Sequence, residues 1–329
     1  MNKTISVVLP NFNGKNLLEE YLPYTIKALK LADYTYEIIV VDDASTDNSI
    51  PFLEEQYPDI ITIKNLQNKG FSYSCNQGIV AAKNDLVLLL NSDVKLSPTY
   101  LQKLIPYFDD EDTFGVMGQI LDSSGAKIEV AAKIPRFNGY KLKSDKQAIP
   151  KDLISPKLPT TFLSGANCLL SREKLMELEG FDEIYSPFYT EDLDLSIRAW
   201  KLGWKCFYEH QATCLHLGSH TTKTHFQKVK IKEIYFRNRM FFHAIHLNRK
   251  DLKRWQIQLF FLEVIPKLLL GQFWILKSYL GLLDHKHQIQ KSRRKIRKLM
   301  MQNQGRKSIA EVTGTINSLL VNKELTILQ

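Results

Sequence analysis

The feature that most constrains the fold of this chain is the regular alternation of short apolar runs with amphipathic segments over its first 130 residues. The apolar runs predict β-strands at residues 6–9, 37–41, 60–63, 85–90 and 116–120. The segments between them predict helices at residues 16–30, 47–56, 71–82 and 98–108. Strands that are apolar on both faces and alternate with helices are typical of a parallel sheet covered on both sides by helices. The sequence therefore predicts an α/β fold with a mainly parallel central sheet.

Residues 121–160 lack this regularity, contain four prolines and are rich in lysine. We expect a long surface excursion there, a place where acceptor-binding loops often lie. Regular patterns return afterwards. They predict strands at residues 163–170, 205–208 and 213–216, and helices at residues 172–178 and 192–202.

The net charge of +9 is unevenly distributed along the chain. Between Lys223 and Lys307 there are 21 lysines and arginines but four acidic residues, so the rest of the chain is mildly acidic. The pattern beyond residue 223 is also helical. Together these shifts predict a catalytic α/β domain over residues 1–222 and a basic, amphipathic helical region over residues 223–329.

Two interpretations of the helical region are open. Residues 255–283 are rich in Leu, Phe, Ile and Trp, with a kink predicted at Pro266, and they either pack on the α/β domain or lie in a membrane interface. Six basic residues between positions 291 and 298 support the second interpretation. The aromatic residues are not interleaved with the basic ones, so nucleic acid is not a predicted partner.

The sequence also predicts where the protein resides. No stretch reaches the roughly 18 uninterrupted apolar residues of a membrane span, and the first apolar run is too short for a signal peptide. The four cysteines form no Cys-x-x-Cys pair, which argues against a zinc site or a disulfide framework. We expect a cytoplasmic protein, either free or peripheral at the inner face of the cell membrane.

Acidic residues follow two predicted strands and open one predicted helix. Asp42 ends the second strand and Asp93 follows the fourth, and ligands of open α/β sheets bind beyond such strand ends. Each alone is equally explained by turn chemistry. Glu191, Asp192 and Asp194 begin a helix, where acids favour the helix dipole, and two of them exceed what capping needs. Asp192 and Asp194 cannot share a helix face.

Eight segments, taken together and in this order, resemble the family 2 glycosyltransferases of the GT-A fold, a Rossmann-like architecture. They are SVVLPNFNG (6–14), EIIVVDDASTDNS (37–49), NLQNKGFSYSCNQGI (65–79), LVLLLNSDV (86–94), FLSGANCLLSREKL (162–175), FDEIYSPFYTEDLDLSIRAWKLGW (181–204), CLHLGS (214–219) and YFRNRMFF (235–242). The resemblance covers about residues 5–240. Within that family, the chain is similar to the rhamnosyltransferases.

The resemblance implies a nucleotide and metal site. Asp42 resembles the acid that accepts hydrogen bonds from the nucleotide base. Asp93 resembles the last acid of the family's Asp-x-Asp metal motif, and His216 the histidine that supplies a further ligand to Mg²⁺ or Mn²⁺. Without the resemblance, His216 would equally be interpreted as a structural histidine of the core. The other residues implied around the donor are Pro10, Asn11, Phe12, Asn76, Asn91, Ser92, Gly165, Ala166, Glu191 and Arg237.

Two positions depart from the family pattern. Asn91 stands where the metal motif usually begins with an aspartate, so the metal is expected to keep more waters or another ligand. Cys75 precedes Asn76 where the family often carries a basic residue. Arg237, Asn238 and Arg239, with Lys223 and His220, are implied as part of a lid over the diphosphate, or else belong to a basic helix face.

The resemblance implies the reaction as well. Asp192 resembles the general base that takes the proton of the acceptor hydroxyl as its oxygen displaces the nucleoside diphosphate and inverts the sugar. The implied partners are a nucleotide diphosphate-sugar and a carbohydrate or lipid-linked acceptor, in the synthesis of a surface polysaccharide such as O-antigen or capsule. Alternatives are a polyprenyl-phosphate sugar synthase, a nucleotidyltransferase, which would need a Gly-rich, Arg-containing first loop, and a non-catalytic sugar-nucleotide-binding module.

Overall fold

The computed structural model describes residues 3–152, 157–217, 227–303, 305 and 307–328. The first strands are β1 (Ile5–Asn11), β2 (Tyr36–Asp42), β3 (Ile61–Lys64), β4 (Leu86–Leu90), β5 (Val94–Leu96) and β6 (Thr113–Leu121). The helices between them are α1 (Lys15–Ala32), α2 (Ser49–Gln56), α3 (Phe71–Ala81) and α4 (Tyr100–Leu104), which continues into a 3₁₀ helix (Ile105–Asp109). The predicted alternation of strands and helices is confirmed.

These strands belong to a ten-stranded central sheet. It is completed by β7 (Ile128–Val130), β10 (Leu158–Pro159), β11 (Asn167–Ser171) and β12 (Lys205–His216). The main order is β10-β12-β6-β11-β4-β1-β2-β3, with β5 beside β12 and β7 beside β6. The run from β4 to β3 is parallel, and β6 is parallel to β12, while β11 is antiparallel to both of its neighbours. The α/β fold with a mainly parallel central sheet is confirmed.

Two apolar cores cover the two faces of the sheet. Ile5, Val7 and Leu9 of β1 face the core beneath α1 and α4, and Val8 faces the core beneath α3 and the later helices. This alternation follows from the period of two in a strand. Both faces of the central strands are therefore buried, which is why their sequences are continuously apolar.

Three predictions about individual segments were wrong. Residues 121–160 are not an irregular excursion, because they contain β7, β8 (Ala132–Asn138) and β9 (Lys141–Pro150). The predicted strands at 205–208 and 213–216 form one strand with register shifts, β12. The strand predicted at 163–170 begins at Asn167, followed by α5 (Arg172–Glu177).

The segment that was predicted to be irregular forms a second sheet. Strands β8 and β9 form a hairpin, and β13 (Leu325–Leu328) pairs with the other edge of β9. Ala132, Leu142 and Ala148 are buried in the main core. The lysines of these strands alternate with smaller buried residues, so the apolar signal is weak, and the third strand comes from 175 residues further along the chain.

The helices after the sheet are α6 (Glu191–Lys201), α7 (Lys228–His246), α8 (Arg249–Leu259), α9 (Ile265–Leu269), α10 (Trp274–Asp284), α11 (Lys286–Gln302) and α12 (Ile309–Leu320). A π-helix (Phe260–Val264) joins α8 to α9 just before Pro266, which has no N–H to donate. The C-terminal helical region is confirmed, and Trp200 of α6 shares a core with Phe242 of α7 and Trp255 of α8. Among the described residues, no helix has the length and apolarity needed to cross a membrane.

Candidate active site

The carboxyl ends of β1 and β2 form the first part of the candidate site. Asn11 and Asp42 lie opposite each other at the last paired positions of these parallel strands, and both side chains are buried. Asn11 Nδ2 donates to Asp42 Oδ2 at 2.9 Å, and the Ser45 amide donates to Asp42 Oδ1 at 2.9 Å. Asn11 Oδ1 is buried without a hydrogen-bond partner among the described residues. An unused buried acceptor at a strand end is suited to a polar ligand.

The loop after β1 is close to the end of β4. A Cβ at Gly14 would lie 2.3 Å from Asn11 Oδ1 and 3.5 Å from Ser92 Oγ, so only glycine fits beside the buried amide. Pro10 is the partner of Val41 within the β1–β2 ladder, and Phe12 directly follows β1. Ser92 is thereby brought to the same edge of the sheet as the Asn11–Asp42 pair.

Asp43 organises the adjacent loop. Its carboxylate accepts hydrogen bonds from Asn65 Nδ2 at 2.8 Å, from the Lys69 amide at 3.0 Å and from the Gly70 amide at 2.8 Å. The next residue along the chain, Phe71, begins α3. Asp43 therefore holds the β3–α3 loop, whereas Asp42 is paired with Asn11.

Asp93 and His216 come together at the junction of β4, β5 and β12. The antiparallel pairing of β5 with β12 places His216 opposite Val94, next to Asp93, and His216 Nε2 lies 3.4 Å from Asp93 Oδ1. His216 Nδ1 lies 3.4 Å from Oε2 of Glu129 on β7. Burial lowers the pKa of His216, but hydrogen bonds and charges from Asp93 and Glu129 outweigh burial and raise this pKa above its usual value.

This pair fits a hard divalent cation that takes most of its ligands from elsewhere. His216 Nε2 is buried and lies 3.4 Å from a carboxylate oxygen of Asp93. In the described ranges no cluster of three or more His, Cys, Asp or Glu side chains is gathered as a metal site. Mg²⁺ and similar ions are commonly held by one or two protein groups plus phosphate oxygens and water, which suits two protein ligands.

The segment before β11 lies against the end of β4. The Asn91 amide donates to the Ala166 carbonyl at 3.1 Å. A Cβ at Gly165 would lie 3.0 Å from the Phe71 ring at the start of α3. Gly165, Ala166 and Asn91 are thus brought together between β4 and α3.

Glu191 and Asp192 open α6 after a strained turn. Tyr189 and Thr190 have φ values of 74° and 84°, a backbone region that non-glycine residues rarely adopt. Glu191 is buried, and its Oε2 has no hydrogen-bond partner within the described chain. Asp192 is half-buried.

Burial raises the pKa of both carboxyls, and more strongly that of Glu191, whose pKa the charge of Asp192 raises further. The Leu193 amide and then the charges of Arg239 and Lys133 oppose the rise at Asp192. Burial and the neighbouring negative charge thus make Glu191 the carboxyl of the pair that holds a proton more readily.

Asp194 belongs to a separate buried network. Its carboxylate accepts from Arg198 Nε at 2.8 Å, from His246 Nε2 at 2.8 Å and from the Tyr185 hydroxyl at 3.1 Å. Burial alone would raise the pKa of Asp194, but Arg198 and His246 hold it far below its usual range. The network fixes α6, which carries Asp192, to the end of α7.

A single amide on α7 holds the turn before Glu191. Asn238 is fully buried, and its Nδ2 contacts the carbonyls of Tyr185, Phe188 and Tyr189, the last two at 2.9 Å. Arg237 Nη2 donates to the Ser186 carbonyl at 2.6 Å. Helix α7 thus positions the turn that presents Asp192.

Two predicted donor-binding side chains already have partners within the protein. Asn76 Nδ2 donates to the Phe181 carbonyl at 3.0 Å while its Oδ1 accepts from the Phe181 amide at 2.8 Å, and Arg237 is engaged as described above. Their donor-binding roles stay predictions. His220 and Lys223, implied as lid residues, lie outside the described residues.

Glu129, Asn238 and Asp43 were not assigned these roles from the sequence. Glu129 lies in the segment predicted to be irregular, so no local pattern pointed to it. Asn238 was grouped with Arg237 and Arg239 as a lid residue over the diphosphate, a role that stays a prediction, and its hold on the turn before Glu191 was not predicted. Asp43 was visible as the second acid of a pair, but the sequence did not show which acid would organise a loop.

Carboxylates and amides at the ends of parallel strands, beside a helix that opens with a glutamate–aspartate pair, define a glycosyltransferase of the GT-A fold. The chain belongs to the glycosyl transferase family 2, whose sequence model matches residues 6–179, more than half of its length.

Several relatives have names that state an activity. The chain is 26% identical over 229 residues to the O-antigen chain rhamnosyltransferase RfbN of Salmonella typhimurium, covering 68% of this chain and 69% of the relative. It is 24% identical over 250 residues to an N-acetylglucosaminyl-diphospho-decaprenol L-rhamnosyltransferase of Mycobacterium tuberculosis, covering 68% of this chain and 78% of the relative. It is 34% identical over 118 residues to an undecaprenyl-phosphate 4-deoxy-4-formamido-L-arabinose transferase of Proteus mirabilis, covering 35% and 36%.

Solved structures show the same fold. GalNAc-T7 with UDP, GalNAc and Mn²⁺ matches with a TM-score of 0.65 at 15% identity, covering 98% of this chain and 58% of that chain. Residues 1–349 of S. aureus TarS match with a TM-score of 0.55 at 15% identity, covering 99% and 96%. A mannosyltransferase from Pyrobaculum calidifontis in complex with GDP-Man and Mn²⁺ matches with a TM-score of 0.52 at 15% identity, covering 98% and 81%.

Proposed function

We propose that this glycosyltransferase moves a sugar from a nucleoside diphosphate-sugar to a hydroxyl of a carbohydrate or lipid-linked acceptor, with inversion, in the synthesis of a surface polysaccharide. The observation that carries the proposal is the gathering of two pairs, Asn11–Asp42 and Asp93–His216, at the same edge of the sheet. Ligands of open α/β sheets bind at such an edge. The names of the Salmonella and Mycobacterium relatives support polysaccharide and lipid-linked acceptors, and a rhamnosyl donor.

Asp192 is the general base in this proposal. Its carboxylate removes the proton of the acceptor hydroxyl, the hydroxyl oxygen forms a bond to the anomeric carbon, and the bond from that carbon to the diphosphate oxygen breaks. Burial raises the pKa of Asp192, which strengthens it as a base. Direct displacement inverts the anomeric centre without a covalent intermediate.

In this proposal, residues at the carboxyl ends of the strands bind the donor. Asp42, with the unused Oδ1 of Asn11 beside it, would recognise the base, and Gly165 and Ala166, next to Asn91, would lie against the sugar. Asp93 and His216 would hold Mg²⁺ or Mn²⁺. The cation would neutralise the charge of the diphosphate leaving group. The Mn²⁺ in the GalNAc-T7 and Pyrobaculum structures supports this part of the proposal.

The proposed location is the cytoplasmic face of the cell membrane, with peripheral contact through the helical region. The support is the basic composition of residues 223–329 together with the lipid-linked substrates in the names of the Mycobacterium and Proteus relatives.

The test is a donor screen with UDP-, GDP- and dTDP-sugars, with Mn²⁺ or Mg²⁺, read by thermal shift and by nucleotide release. One donor should stabilise the protein only when the metal is present. Asp93→Asn should abolish this shift, whereas Asp59→Asn, at an exposed aspartate away from the sheet edge, should leave it unchanged. If no donor shifts the wild-type protein or is turned over, the transferase proposal fails and the binding-module alternative fails with it.

A second candidate is transfer onto a polyprenyl phosphate. The similarity to the Proteus mirabilis transferase over 118 residues favours it. Incubation of the identified donor with a polyprenyl phosphate and, separately, with a lipid-diphosphate-linked sugar distinguishes the two. Product from the polyprenyl phosphate alone would replace the acceptor proposed above.

A further inference from the structure

A cleft of about 650 Å³ lies between α8, the end of α10 and α11, away from the strand ends. One face of α11 forms a long side of it. Lys286, Arg293, Arg294 and Arg297 repeat there at intervals of three, four and seven residues, so they share that helix face. Arg249 at the start of α8 faces them from the opposite side.

The positive charge of this cleft is not balanced by the protein. Its lining residues include no aspartate or glutamate. Within the part of the chain that the structure describes, no ion pair joins a carboxylate to Arg249, Arg293, Arg294 or Arg297. Arg249, Arg293 and Arg297 all line the cleft, and burial and then the charges of Arg297 and Arg249 lower the pKa of Arg293. Like charges held together without counter-charges favour an anionic ligand.

The other walls of the cleft are apolar. Leu252 of α8, Leu282 and Leu283 of α10 and Ile289 of α11 contribute to its lining. A cationic rim around an apolar wall matches a molecule that joins a phosphate to a hydrocarbon chain. It does not match a free, fully hydrated anion, which gains nothing from the leucines.

An exposed apolar surface borders the cleft. We call it the apolar ridge, and its residues are Phe261, Leu262, Leu269, Leu270, Phe273, Leu276 and Leu280. It is most exposed at the turn between α9 and α10, where Leu269, Leu270 and Phe273 are 83%, 73% and 68% exposed. The ring of Tyr279, which lines the cleft, packs 6.0 Å from that of Phe260 beside the ridge, so the two features are contiguous.

Helix α10 shows that the ridge is not a packing accident. Its buried residues, Ile275, Ser278 and Leu282, face the body, and α10 contacts α7. Its opposite face still carries Leu276 and Leu280 in solvent. Lys277 and Asp284 are also exposed on α10, but a contiguous exposed apolar surface marks an interaction site.

We propose that the arginine-lined cleft binds the phosphate headgroup of a membrane lipid while the apolar ridge enters the acyl-chain region beside it. Charge complementarity selects the occupant: an anionic bilayer presents phosphates above hydrocarbon, in the same order as the cleft and the ridge. Interfacial binding of this kind combines buried apolar area with attraction of basic residues to anionic lipids. This deepens the proposed membrane contact and is independent of donor binding.

The test is co-sedimentation of the full chain with vesicles of phosphatidylcholine alone and with added phosphatidylglycerol. The wild-type protein should bind the anionic vesicles. Arg294→Gln with Arg297→Gln, both exposed, should weaken binding about 30-fold, since each basic residue near the surface contributes about 1 kcal/mol and a factor of ten equals about 1.4 kcal/mol. Leu270→Ser with Phe273→Ser should also weaken it.

The matched control is Lys30→Gln with Lys83→Gln, which removes two exposed charges from the catalytic half. This pair should bind vesicles like the wild-type protein. Equal losses in both charge pairs would overturn the proposal in favour of unspecific attraction. Wild-type binding that is no stronger on anionic than on neutral vesicles would also overturn it. A third contrary result would be a protein that does not bind vesicles but shows a thermal shift with inorganic pyrophosphate, if Arg294→Gln with Arg297→Gln removes that shift.

The donor-induced thermal shift is measured on the same variants. It should be unchanged in all of them, which separates the cleft from the donor site. Vesicle binding without any donor shift would leave this inference standing and sink the proposed transferase function, and a donor shift without vesicle binding would do the reverse.

Discussion

His246 is the residue on which the coupling between α6 and α7 can be measured most directly. Its Nε2 lies 2.8 Å from Asp194 Oδ1, and because a carboxylate only accepts, Nε2 carries the proton. Its Nδ1 is buried and has no hydrogen-bond partner among the described residues. Burial, and then the charge of Lys201, lower the pKa of His246 to about 4 even though Asp194 acts in the opposite direction. The folded protein therefore holds this ring neutral.

The consequence for stability has a definite sign. An ordinary histidine has a pKa of about 6.5, so on acidification the unfolded chain takes up the proton before the folded one. Stability is then lost progressively as the pH falls from about 6.5 towards about 4. With these two values, His246 alone accounts for a loss of about 2 kcal/mol in the free energy of unfolding between about pH 7.5 and about pH 5.

The assay compares wild type with His246→Gln, which keeps an N–H for Asp194 but does not titrate. The free energy of unfolding in urea, followed by the fluorescence of buried Trp200 and Trp255, is measured at both pH values. The difference in the free energy of unfolding between wild type and His246→Gln should become smaller by about 2 kcal/mol at the lower pH. Other buried titrating groups, including Glu191 and Asp192, act in both proteins and cancel in the difference.

The control is His287→Gln, at an exposed position of α11, where the gap should not depend on pH. A gap for His246→Gln that is equally wide at both pH values would refute the reasoning, because it would mean that the folded protein does not hold His246 neutral.

The remaining predictions concern the site. Asp192→Asn should lower turnover by about 10²- to 10⁴-fold without changing the donor-induced thermal shift, and a loss below about tenfold would exclude it as the base. Since burial raises the pKa of Asp192, wild-type kcat/KM should fall on the acid side at a higher pH than for an ordinary aspartate, as a pH profile will show. Glu129→Gln should weaken Mn²⁺ binding, titrated calorimetrically, by about 10- to 100-fold, because Glu129 orients His216, and unchanged affinity would contradict that role. Asn238→Ala should destabilise the protein by about 1–3 kcal/mol in urea, by leaving buried carbonyls unpaired, and should also lower turnover.

The parallel centre of the main sheet could be predicted from the sequence because β1, β2 and β4 are buried on both faces along most of their length. Runs such as residues 86–90 contain no polar residue, and each is followed by polar residues that end the strand. The second sheet could not be predicted in this way. Strand β9 reads KLKSDKQAIP, in which three lysines interrupt the apolar pattern, and its partner β13 is far away in sequence. Local pattern carries no information about such long-range pairing.

The candidate site divides in the same manner. Asp42, Asp93 and Asp192 were found because strand ends and helix starts mark them in the sequence. Glu129 was missed, since its relevance depends on the pairing of β6 with β7 and on the end of β12. The use of Asn76 and Arg237 in internal hydrogen bonds was equally invisible, because a side chain's partners are set by tertiary contacts.

The hydrogen bonds from Asn238 to the turn before Glu191 limit how this enzyme can be engineered. Exchange of C-terminal halves between related transferases is an obvious route to a new acceptor, and the change in composition near residue 223 offers a tempting junction. A chimera joined there would replace the amide that holds three carbonyls of the turn and the histidine that anchors Asp194. A chimera with a new acceptor specificity must therefore take α6 and α7 from the same parent protein, with the junction placed after His246.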